Sequence, residues 1–326
     1  MRLEPQPAQS TPPPGSAAAH AVRAEHAHRT RAGVWLGLLG MLIFAGTIPM
    51  TRLACGGAQA PQLSPVFVAF GRAGVAGLLS IAYLLATRAP WPHRTHWTML
   101  ALTVLGNVIG WPLLLGLAVR RVDAMHAAVI TGLMPLATAA CGALLLRQRP
   151  SAGFWGFALL GAALVVAFAA WSGAGRPQLA DLLLLGAVIA SSFGYVTGVR
   201  VASGPDGLTP EQTISWVLVL ALPATLPVLV MQWPTAPVSA AAWGGFAYVA
   251  LFSMWMGFFA WYRGLAWGGT LRVSQVQLLQ PFVAILLSVP LLGEPLRPAT
   301  LGFSVAVMAC VYLGRRMPAG APRSPS

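Results

Sequence analysis

The chain has 326 residues, 57% of them hydrophobic and only 8% charged. A soluble domain carries about 25% charged residues, so this chain lacks the polar surface such a domain needs and reads as a membrane protein. All 20 basic residues are arginines, set against 7 acids for a net charge of +13, and they fall between apolar runs instead of clustering on one face, which argues against a nucleic-acid-binding surface.

Residues 1–32 are rich in Pro, Ala, Gln and His without apolar periodicity and are expected to form a disordered cytoplasmic tail. A solvated low-complexity tail accounts for His20, His26 and His28 without a metal. No cleavage pattern follows the first apolar run, so the start does not read as a signal peptide. Ten apolar segments follow, at 33–54, 64–87, 97–118, 125–146, 152–171, 181–202, 212–232, 242–266, 272–292 and 299–314. Each is expected to be a membrane helix, because a helix satisfies its own backbone in lipid. Short connections make consecutive helices antiparallel neighbours. A second disordered cytoplasmic tail is expected at 317–326.

Orientation is read from arginine bias. A cytoplasmic N-terminus puts Arg88, Arg94, Arg147, Arg149, Arg200, Arg272, Arg315 and Arg316 on the cytoplasmic side and leaves Arg120, Arg121, Arg176 and Arg297 opposite. The positive-inside rule selects this arrangement, with both termini cytoplasmic and the chain in the cytoplasmic (inner) membrane. Cys55, Cys141 and Cys310 are far apart, form no metal or redox spacing, and are read as small apolar fillers.

Polar residues inside the segments are the candidates for function. Arg72, in "VAFGRAGVAGLL", either faces a cavity or reaches the headgroups along its own stem. Asn107 and Trp111 form an i, i+4 pair on the third segment. Asn107 lies deep enough to favour an interior contact. Ser253, Trp255 and Tyr262 sit on the eighth, where Trp and Tyr also suit an interfacial belt. In the ninth, Ser274, Gln277 and Pro281 share a face at i, i+3, i+7 spacing that should point inward. Pro281 lies at mid-depth, where a proline frees the carbonyl four residues back, that of Gln277. Pro135 in the fourth segment does the same to Thr131. Each such kink either shapes a cavity or serves packing. His126 is a weak candidate for titration near neutral pH.

The chain also repeats. At an offset of 146 residues, "VITGLMPLATAACGALLLRQRPSAGFWG" (129–156) falls on "VQLLQPFVAILLSVPLLGEPLRPATLG" (276–302) preceded by Gln275. Pro135 meets Pro281, Gln148 meets Glu294, Gly156 meets Gly302 and, upstream, Asn107 meets Ser253. A repeat unit of five spans, an odd number, must enter the membrane in opposite senses in its two copies, an arrangement that underlies alternating access in many carriers.

The block from "VALFSMWMGFFAWYRGLAWGG" through "LLGEPLRPATLG" resembles the second half of an EamA-type transporter of the drug/metabolite transporter superfamily. The first half resembles the same pattern less closely, with "LLRQRP" where the family has Gly-Glu-Arg. The resemblance covers roughly residues 33–316 and implies ten helices, a central substrate cavity and export or exchange of small metabolites. It also implies that Glu294, with Gln148 its counterpart, is a structural turn residue. Glu294 is expected near the positive N-terminus of the tenth helix, with Arg297 as its partner.

The expected fold is an all-α membrane protein of ten helices in two inverted five-helix repeats, 33–172 and 178–316. The expected function is secondary transport of small organic metabolites such as amino acids, with export the expected direction. Partners are the small-molecule substrate and the bilayer, with the chain either a monomer or a homodimer. No motif calls for a cofactor, a metal or catalysis. A lipid-moving or structural membrane protein, or an intramembrane lipid-modifying enzyme, is the alternative.

Overall fold

The computed structural model describes residues 15–145, 150–172, 177–202, 208–268, 273 and 276–317. Every extended element among them is helical. Among the described residues nine helices are long and apolar enough to cross a membrane: His28–Cys55, Pro65–Ala86, Arg94–Val119, Ala124–Leu145, Ala152–Ser172, Leu179–Ala202, Pro210–Met231, Ala240–Leu265 and Pro298–Arg316. Between the last two lies the shorter apolar helix Gln277–Leu292. In chain order these are called the first to tenth spans, the short helix being the ninth. Nine of the ten apolar segments of the sequence have a helix of membrane-crossing length among the described residues. The ninth is shorter than expected, and residues 269–272 and 274–275 lie outside the described residues.

The first helix begins at Gly15, so residues 15–32 are helical where a disordered tail was expected. The Ala-rich run there favours helix once the apolar span below it supplies a nucleus. Helix starts repeat between the halves. Ser64 accepts a hydrogen bond from the Phe67 N–H with Pro65 at the first turn. Thr209 does the same for Gln212 inside a full capping box, with Pro210 following. Outward-facing residues such as Trp35, Leu85 and Leu159 are large and exposed, as expected of surface met by lipid tails.

Contacts between spans cross the two halves. The second packs on the seventh, the fourth on the ninth and the fifth on the tenth. The first packs on the eighth and the third on the sixth, a pair of crossings that exchange when the halves exchange. Both are close backbone approaches through glycine. A Cβ on Gly264 would lie 2.5 Å from the Gly37 nitrogen, and one on Gly106 would lie 2.4 Å from the Ala190 carbonyl oxygen.

Candidate functional site

Four interruptions of helical geometry occur at matching places in the two halves. In the third span, Val104–Gly110 is a π-helix, and the Trp111 N–H bonds the Gly106 carbonyl, five residues back. In the eighth, Tyr248–Met256 is a π-helix, and the Gly257 N–H bonds the Phe252 carbonyl, again five back. Gly106 and Phe252 stand 146 residues apart, the repeat offset. Pro112 explains the first: it has no N–H for the Val108 carbonyl and crowds it, so the turn widens. No proline marks the second.

The other two interruptions are at the prolines, and they are breaks, not the mid-helix kinks expected. The fourth span ends its first helix at Thr131, turns at Gly132 and Leu133, and restarts at Met134 with Pro135 second. The ninth passes through a 3-10 turn, Gln277–Leu279, and becomes α-helical at Gln280 with Pro281 second. Proline is tolerated there because the first turn of a helix has no acceptor for its missing N–H.

These interruptions meet. A cavity with about 390 Å³ of empty space lies between the two breaks, lined by Thr131, Pro135, Gln277 and Pro281 among others. It adjoins a larger one of about 530 Å³, with Ile48, Met134, Gln277 and Gln280 on both walls. The larger wall carries Arg72, Asn107, Trp111 and Ser253, with Thr47, Ser191, Tyr195 and the apolar Phe44, Met254 and Phe258.

Hydrogen bonds fix this wall across the halves. Arg72 Nη2 donates to Ser253 Oγ at 2.9 Å, and Thr47 Oγ1 shares a hydrogen bond with the same oxygen at 2.7 Å. Ser191 donates to Asn107 Oδ1 at 3.2 Å. Arg72 does not reach the headgroups: it is 2% exposed.

Of the residues expected at the cavity, Arg72, Asn107, Trp111, Thr131, Ser253 and Gln277 are brought together. Thr131 turns its hydroxyl to the Ala127 carbonyl, so it lines the cavity without offering its proton. Trp255 and Tyr262 are not on either wall. Trp255 lies against Phe259, and Tyr262 against Phe258. Ser274 and Gln148 lie outside the described residues. Thr47, Ser191, Tyr195 and Gln280 were missed. The signal for Ser191 and Tyr195 was their i, i+4 spacing inside an apolar run.

Glu294 corrects its expected placement. It was expected near the start of the tenth span with Arg297 as its partner, and Arg297 forms no ion pair with it among the described residues. Its Oε1 accepts from the Ala124 N–H at 2.7 Å and its Oε2 from the Met125 N–H at 2.9 Å, capping the fourth span. Gly293, left-handed at φ 67°, ends the ninth helix and turns the chain to make this reach. Burial pushes the Glu294 carboxyl above its usual range, with Asp123 adding to the rise; the Met125 and Ala124 N–H groups and Arg52 oppose it. A second polar cluster lies nearby, where His126 Nε2 meets Asp181 Oδ1 at 2.6 Å and Ser172 Oγ lies 3.1 Å from His126 Nδ1.

Comparison with known proteins agrees with this two-part plan. The pattern of the EamA-like transporter family matches residues 31–171 and again 178–314. The uncharacterized transporter YdeK of Bacillus subtilis (strain 168) is 40% identical over 285 residues, 86% of this chain and 96% of that protein. The uncharacterized transporter YyaM of the same organism is 25% identical over 306 residues, 90% and 95% of the two chains. A crystal structure described only as that of a protein matches with a TM-score of 0.59 at 17% identity, over 88% of this chain and 96% of that one, a likeness of fold.

Proposed function

The chain belongs to the EamA-like transporter family, and on that premise we propose that it is a secondary transporter exporting small organic metabolites, such as amino acids, across the cytoplasmic membrane by alternating access. One observation carries the reading: the two halves each break a helix at the same repeat position, and the two breaks face one cavity. A break lets half-helices tilt independently, and matched breaks in oppositely inserted repeats let the cavity open to either side in turn. In this proposal both termini are cytoplasmic and the five-span halves are inverted. The cavity's mixed wall of apolar groups, hydroxyls and amides suits a small amphipathic solute.

Initial flux of labelled amino acids into proteoliposomes tests this. Pro135→Ala and Pro281→Ala each restore an N–H that can pair with the Thr131 or Gln277 carbonyl and straighten the span. Each change should lower flux several-fold at equal insertion, and the double change should lower it further. Unaltered flux in the double variant would mean that the breaks serve packing, and alternation at them would be abandoned. Outward direction is checked in cells, where overexpression should confer resistance to toxic amino-acid analogues.

A further inference from the structure

Among the described residues, Arg72 is the one charged side chain on the wall of the larger cavity. It is the eighth residue of the helix Pro65–Ala86, about 12 Å from its start at ~1.5 Å per residue. A guanidinium carries five N–H donors. Nη2 donates to Ser253, while Nε and Nη1 are buried with no hydrogen-bond partner. No acid compensates it: the ion pairs among the described residues are His126–Asp181 and Arg263–Glu211, both elsewhere. A buried cation without a counter-ion is strongly unfavourable in lipid, and such residues mark solute pathways. Here the charge is held in place by hydroxyls, Ser253 backed by Thr47, which orient the guanidinium without neutralising it.

We infer that Arg72 is the anchor for a carboxylate group of the transported solute; the inference rests on the proposed function. Guanidinium and carboxylate are matched in shape and charge, and their paired, charge-assisted hydrogen bonds are stronger than neutral ones. A single cation compensates a single negative charge, so the solute is a monocarboxylate, free or zwitterionic; a second charge, as on a phosphate ester, would have no partner on this wall. Among the described residues no acid lines the cavity to receive a solute whose only charge is positive. The rest of the solute meets amides at Asn107 and Gln277 and apolar surface at Phe44, Met254 and Phe258.

The test uses the purified full-length protein in proteoliposomes. Leucine, phenylalanine and methionine skeletons are each offered as the amino acid, its amide, the decarboxylated amine and the amine-free acid. Sugars and alcohols complete the set. Carboxylate members should be carried, and the matching amides and amines should be at least about tenfold weaker, the loss expected of a charge-assisted hydrogen-bonded pair. Arg72→Gln should remove that preference, and Arg72→Lys should keep it with a raised KM. If Arg72→Gln does not insert, Thr47→Ala keeps the cation, loosens its support and should raise KM several-fold for carboxylates only. Wild-type carriage of amides or amines as fast as the acids overturns the inference and leaves transport standing, as does carriage of a sugar or alcohol without any acid. Leucine, phenylalanine or methionine uptake by Arg72→Gln at the wild-type KM does the same. Failure to move any solute of any class removes the transport reading, and the inference falls with it.

Discussion

The two halves of this molecule share a scaffold and differ in chemistry at the same depth. Counted from its N-cap, Arg72 stands eight residues after Ser64, and Val217 stands eight after Thr209. Both are buried, at 2% and 0% exposure, yet one is a cation on the cavity wall and the other belongs to an apolar core. At the π turns, Asn107 in one half answers Ser253 in the other. The difference teaches that the repeat sets where helices break and cross, while the site arises from positions where the copies have diverged. A solute with one carboxylate has no twofold symmetry, so a symmetric pair of cations would not fit it.

Exchanging the chemistry at these two positions should give the largest effect. Val217→Arg places a charge within an apolar core cluster with no counter-ion among the described residues, and should destabilise by about 3 kcal/mol or more. It should fail to accumulate as a monodisperse species in detergent. Arg72→Leu should accumulate as well as the parent, because it removes a buried unpaired charge, and should carry no carboxylate solute. If both variants accumulate equally, the two positions are equivalent in environment and the comparison breaks.

The two glycine crossings sharpen the shared part. Gly106→Ala and Gly264→Ala each drive a methyl into backbone, and overpacking of this kind costs about 1–3 kcal/mol. Melting temperatures in detergent should fall by similar amounts for both. A drop for one alone would show that the crossings of third on sixth and first on eighth do not correspond.

The smallest effect is expected at Glu294. Glu294→Ala leaves the Ala124 and Met125 N–H groups without their acceptor and should cost about 1 kcal/mol, the usual value of a helix cap. Glu294→Gln, which still offers one acceptor, should cost less. Thermal unfolding in detergent reads both, and an unchanged melting temperature for the Ala variant would deny the cap its role.

Much of this was legible along the chain. Apolar runs located the spans, since lipid leaves a backbone no partner but itself. The aligned prolines marked both breaks, though as kinks, and Pro112 is a local mark of one π turn that went unread in the sequence. The π turn at Tyr248–Met256 has no such mark. Glu294 was expected beside the start of the tenth helix with Arg297 as its partner, and its carboxylate instead meets the Ala124 and Met125 N–H groups, because helix ends adjacent in sequence are not the only ones adjacent in space.

By itself the sequence determined the membrane character, the repeat and the two interruptions at Pro135 and Pro281. Each of these follows from local chemistry: hydropathy over about twenty residues, or the missing N–H of a single proline. Only the tertiary structure decided that Arg72 faces a cavity and not the headgroups, that Ser253 and Thr47 hold it, and that Glu294 caps a helix 170 residues away from it. Long side chains on a helix have several reachable partners, and which one they take depends on what the other half of the chain brings alongside.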